Sequence, residues 1–77
     1  MAHYSFEVEN LGQFDRILNA LKELDESVIV KEKKEIDPFN SNFMAKILIN
    51  ANFEDVLKVV AKTKNSAKVL DTIRPIH

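Results

Sequence analysis

From residue 3 to residue 9 the chain alternates. Tyr4, Phe6 and Val8 point one way, and His3, Ser5, Glu7 and Glu9 the other. A period of two predicts a half-buried strand. Asn10, Leu11 and Gly12 break it, and Gly12 is the single glycine of the sequence. Phe14, Ile17, Leu18, Leu21 and Leu24 then recur at helical spacing. Asn10 and Gln13 stand three apart, as a capping box requires. Asp25, Glu26 and Ser27 end this helix. A second strand is predicted over residues 28–36, beginning on the apolar Val28, Ile29 and Val30. Its outer half, Lys31 to Glu35, is highly charged, as expected of an edge strand.

Residues 37–42, Asp-Pro-Phe-Asn-Ser-Asn, form a turn cluster. A third strand over 43–49 sets Phe43, Ala45, Ile47 and Ile49 on one face and Met44, Lys46 and Leu48 on the other. Asn52 is placed to cap a second helix, with Glu54 and Asp55 in its first turn. Phe53, Val56, Leu57 and Val60 form its apolar stripe, and Lys62, Lys64, Asn65 and Ser66 stop it. Residues 67–73 are predicted as the last strand, closed by Arg74 and Pro75. Shifting the chain by 39 residues lays Tyr4 on Phe43, Val8 on Ile47, Phe14 on Phe53, Leu18 on Leu57 and Val30 on Val69. Each half reads strand, helix, strand. The expected fold is therefore α+β, a single ferredoxin-like βαββαβ domain over residues 1–77. Its antiparallel sheet would have the order 4-1-3-2, with two helices on one face. The other face would carry Met44 and Leu48, joined by Ile29 or Val30 and by Leu70. An apolar patch with no helix over it points to a partner.

Length and composition narrow the class. Seventy-seven residues make one domain, marginal on its own because so much of a small chain stays at the surface. An apolar content of 45% excludes disorder by composition. The longest apolar runs are three residues, so no membrane span fits. No basic stretch precedes an apolar core at the start, so no secretory leader is expected. There is no cysteine, hence no disulfide, thiol nucleophile or thiolate metal site. A cytoplasmic setting is expected, with no cofactor and no metal.

The net charge of −1 hides an asymmetry. Residues 1–37 carry five basic and nine acidic groups; residues 38–77 carry six and three. Lys58, Lys62, Lys64 and Lys68 are the one basic cluster, but a nucleic-acid domain is usually strongly basic overall. Phe43 and Met44 stand where the third-strand aromatic motif of an RNA-recognition domain would begin, and Lys46, Ile47 and Leu48 do not continue it. Nucleic-acid binding is disfavoured. One glycine cannot build a phosphate loop, and this also disfavours an acylphosphatase despite Arg16. His3 and His77 sit at the chain ends and carry no expected role. Glu7 and Glu9 could share acid–base work, but a solvated strand face accounts for them. No enzyme is expected.

The first turn is the most informative segment. Glu9-Asn10-Leu11-Gly12-Gln13-Phe14-Asp15-Arg16-Ile17-Leu18 resembles the signature of ACT domains. There the first strand ends in an acidic residue, a glycine follows three positions on, an apolar residue follows two later and another three beyond that. Here those are Glu9, Gly12, Phe14 and Ile17. The ending Val69-Leu70-Asp71-Thr72-Ile73-Arg74 is similar to the last ACT strand. The chain looks most like the C-terminal ACT domain of RelA/SpoT guanosine tetraphosphate synthetases/hydrolases. It departs in having Leu11 where proline is common and in carrying no attached enzyme. The resemblance implies a small regulatory module binding an amino acid or related anion. Glu9, Asn10, Leu11, Gly12 and Gln13 would hold it, with the amides of Gly12 and Gln13 as donors at a helix N-terminus. Alternatively, Gly12 makes a tight turn and nothing more. A homodimer is expected, through strand edges or the outer sheet face. The rival is an adaptor that binds a protein partner through Met44, Leu48 and Leu70 without a ligand.

Overall fold

The computed structural model describes residues 1–76; His77 and its expected lack of a role lie outside the described residues. Four strands and three helices follow in the order β1 (Ala2–Val8), α1 (Leu11–Leu21), β2 (Ile29–Asp37), β3 (Asn42–Ile49), α2 (Phe53–Ala61), α3 (Ala67–Thr72) and β4 (Arg74–Ile76). The strands form one antiparallel sheet in the order β2-β3-β1-β4, the order expected from the sequence. The alternations of β1 and β3 turn Tyr4, Phe6, Val8, Phe43, Ala45, Ile47 and Ile49 into the core. There they meet Phe14, Ile17 and Leu21 of α1, Val56, Val59 and Val60 of α2, and Val69 of α3. Phe14 is the hub of the aromatic packing, stacked on Phe6 and tilted against Phe43.

The last segment corrects the sequence expectation. Residues 67–72 are a helix, and the strand is confined to Arg74–Ile76. Val69, Leu70 and Ile73 have the spacing of a helical stripe, and Leu70 and Ile73 donate their N–H groups to the carbonyls of Ser66 and Val69. The 39-residue correspondence therefore holds for strand and first helix but not for the third element: Val30 lies in a strand and Val69 in a helix. Pro75 is tolerated inside β4 because β4 is an edge strand and pairs on one side only. β4 reaches only as far as Ser5 along β1. Beyond it, the Thr72 hydroxyl accepts from the Glu7 N–H at 2.9 Å and donates to the Lys68 carbonyl at 2.8 Å. A side chain of α3 thus supplies an acceptor where a longer strand would have offered backbone.

β2 is the other edge, and Lys31 to Glu35 are all exposed along it. Two register shifts against β3, between Val30 and Glu32 and between Glu35 and Asp37, leave Lys31 and Ile36 as bulged residues. No helix among the described residues is long and apolar enough to cross a membrane.

Asp25 locks the connection between α1 and β2. Its carboxylate accepts from the Ser27 hydroxyl and N–H and from the Asn50 N–H, which follows β3. The Ser27 hydroxyl, then the Asn50 and Ser27 amides, hold its pKa below the ordinary value of 3.8. A lowered folded pKa contributes stability that is complete above the unfolded value and lost as pH falls through the folded value. Urea midpoints should therefore drop as pH is lowered from 5 to 2. In Asp25→Asn that drop should be shallower; an identical profile would remove the carboxylate from the clamp.

Candidate functional site

The turn from β1 into α1 is built to satisfy itself. Asn10 is the N-cap, in extended backbone, and its side-chain oxygen accepts from the Gln13 N–H at 2.8 Å. The capping-box partner departs by one residue from the expected pattern: the Gln13 Oε1 accepts from the N–H of Glu9, at 2.8 Å. The Gln13 Nε2 then donates to the Asn65 carbonyl at 2.6 Å. Asn65 has a φ of 59°, a left-handed conformation that asparagine tolerates well. One side chain thus ties the start of α1 to the link between α2 and α3.

This geometry separates the five sequence candidates. Gln13 is 1% exposed and every polar atom of its side chain is engaged, so it is a structural residue and its N–H is closed to a ligand. Gly12 is the second residue of α1 and has no positive φ, so no sharp turn depends on it. A Cβ placed there would lie 3.3 Å from the capping oxygen of Asn10, and the glycine gives that cap its room. Glu9 and Asn10 are exposed, their backbone and capping groups largely committed to the turn. Leu11 is 61% exposed, at the first position of the helix.

Leu11 forms one wall of a groove of about 350 Å³. The opposite wall is the β2–β3 hairpin, through Lys33, Glu35, Pro38 and Ser41, with Asn42 and Phe43 completing the lining. The Lys33 ammonium lies 4.7 Å from the centre of the Phe14 ring, a cation–π distance that holds the charge at this site. The neighbours of the Asn42 amide assign its orientation: turned with its nitrogen toward the carbonyls of Glu9 and Asn40, at 3.3 and 3.2 Å, and its oxygen toward the Lys68 ammonium, at 3.2 Å, it satisfies all three. The groove therefore combines an apolar surface with one fixed cation and one carboxylate. Lys33 and Glu35 were read in the sequence only as edge-strand charge. Their odd-numbered spacing with Val30 displaced by the bulge at Lys31 left their face undecided until the register with β3 was known.

The outer sheet face is less apolar than the sequence suggested. Met44 and Leu48 are both on it, half-buried, but Lys46 stands between them and pairs with Glu32 at 3.6 Å. Leu70 is not on it at all; it belongs to α3 and packs against the core. Val30 likewise packs against the core, whereas Ile29 pairs with Leu48. The four basic-cluster lysines are spread over α2, its end and α3. A second cleft, of about 270 Å³, lies where β4 meets α3, lined by Glu7, Asp71 and Arg74 among others. Among the described residues, no group of three His, Asp or Glu side chains is placed to hold a metal ion. Compared with models of protein families, with curated proteins and with solved structures, the chain matches none.

Proposed function

We propose that the chain is a small non-catalytic regulatory module of ferredoxin-like, ACT-like type, which binds a small carboxylate-bearing effector such as an amino acid. The groove between Leu11 and the β2–β3 hairpin carries this reading. It lies against the same turn whose sequence resembles ACT domains, and it offers complementary chemistry. Lys33 would meet a carboxylate, Glu35 an ammonium, and Leu11 with Phe43 an apolar side chain. The volume suits a ligand of amino-acid size or slightly larger. Titration calorimetry against the amino acids and the guanine nucleotides should find one binder. Lys33→Met should weaken that binder about tenfold, the loss of one charge-assisted hydrogen bond. Silence across both panels, or binding indifferent to Lys33, would remove the effector.

A further inference from the structure

We infer that the cleft where α3 meets the sheet is a binding site for a small amino alcohol, an ammonium group beside neutral hydroxyls, as an amino sugar carries. The inference is independent of the effector reading: this cleft lies on the β4 side of the sheet, and the groove at Leu11 lies on the β2 side. The fold opens the cleft where its last strand falls short. β4 pairs with β1 only as far as Ser5, and beyond that point α3 takes its place. Thr72 closes part of the gap by accepting from the Glu7 N–H. What remains is a space of about 270 Å³, with Ser5, Glu7 and Met44 on the sheet side and Asp71, Ile73 and Arg74 on the other.

Ser5 is the group that points to a ligand. It is only 7% exposed, and among the described residues its hydroxyl has no hydrogen-bond partner. No fully buried side-chain oxygen or nitrogen among them lacks a partner, so this hydroxyl opens on the cleft and not on the core. The register sets Ser5 opposite Arg74, and Glu7 lies two residues further along the same face of β1. A sunken hydroxyl both donates and accepts, and a ligand hydroxyl answers both. The charges decide what stands beside that ligand hydroxyl. Among the described residues Glu7, Asp71 and Arg74 form no ion pair, with one another or with any other group. Two carboxylates and one guanidinium leave the cleft at −1. One ammonium neutralises it, and its three donors suffice for both carboxylates. The Arg74 guanidinium, a donor only, is then left for the lone pairs of neutral hydroxyl oxygens. A ligand phosphate would bring back the excess of negative charge beside two carboxylates. A bare alkylamine would leave Ser5 and Arg74 unanswered. Both conditions select an amine that carries hydroxyls, with the soft Met44 side chain under its carbon skeleton.

Titration calorimetry with glucosamine, in mildly acidic buffer where its amine is charged, should find binding. N-acetylglucosamine keeps the hydroxyls and loses the charge; cyclohexylamine keeps the charge and loses the hydroxyls. Each should bind about tenfold more weakly or worse. Ser5→Ala and Asp71→Asn should each weaken glucosamine by about tenfold, whereas Lys33→Met, on the β2 side, should leave it unchanged. Ser5→Ala nearly keeps the volume, Asp71 is exposed, and circular dichroism of each variant checks the fold. No binding of glucosamine would overturn the inference. Equal binding of the acetylated sugar or of cyclohexylamine would overturn the ligand class. Binding that ignores Ser5→Ala and Asp71→Asn but falls with Lys33→Met would put the ligand in the groove and overturn the assignment of the cleft.

Discussion

Phe6→Ala should cost about 3–5 kcal/mol of folding stability, the range for removing a fully buried aromatic ring. Phe6 is 1% exposed in the middle of β1. Its ring stacks on Phe14 of α1, with centroids 6.5 Å apart, and Phe14 in turn leans on Phe43 of β3. The ring therefore sits where strand, neighbouring strand and helix meet, and alanine would leave a cavity bounded by rigid sheet on one side. A chain of this length has about 4–12 kcal/mol in total. The loss is thus a large share of the total, from about a quarter of it to all of it. Urea unfolding followed by circular dichroism measures it directly, with Phe6→Leu as the volume-keeping control, expected to lose only about 1 kcal/mol. A loss under about 1.5 kcal/mol for the alanine variant would mean that the sheet and α1 do not close on each other as described.

Gln13→Leu should cost about 2–4 kcal/mol, although leucine is the more apolar residue and the position is buried. The side chain fills the same space, so packing is nearly kept. Two backbone groups lose their partners, the N–H of Glu9 and the carbonyl of Asn65. Each such group costs about 1–3 kcal/mol when left unsatisfied away from water. The effect should be distributed along the chain in a way that a packing defect would not be. Hydrogen exchange should speed up at the start of α1 and, 52 residues away, around Asn65. Exchange that changes only near residue 13 would mean that the bridge to Asn65 carries no stability. Asn10→Ala is a useful comparison, because it removes the cap on the Gln13 N–H but leaves the bridge, and should cost only about 1 kcal/mol.

The two variants also separate what kinds of residue do the holding. Phe6 acts through area and shape. Gln13 acts through two specific acceptor and donor sites at the turn that the sequence had offered to a ligand. The turn is therefore already occupied by the protein's own side chain, and room for a small molecule lies beside it, over Leu11 and under the β2–β3 hairpin. This displacement moves the proposed ligand contacts from backbone amides to Lys33 and Glu35.

Local pattern alone determined most of the framework. The alternations at Tyr4–Phe6–Val8 and at Phe43–Ala45–Ile47–Ile49 fixed which faces of β1 and β3 are buried, because successive side chains of a strand point to opposite sides. The stripe Phe14–Ile17–Leu21 and the caps Asn10 and Asn52 fixed α1 and α2, because helix starts need side-chain acceptors within three residues. From those elements the sheet order followed. Three things were decided only by the tertiary structure. Residues 67–72 are too few for periodicity to choose between strand and helix; the choice fell to helix, with Val69 in the core and Thr72 answering the Glu7 N–H. That also moved Leu70 off the outer face. Gln13 is a capping-box residue and a ligand contact by local pattern, and its second partner, Asn65, lies too far along the chain for any local rule to name. Lys33 and Glu35 acquired their place in the groove through a bulge at Lys31, which shifts the register of β2 on β3 and is a property of the pairing, not of either strand alone.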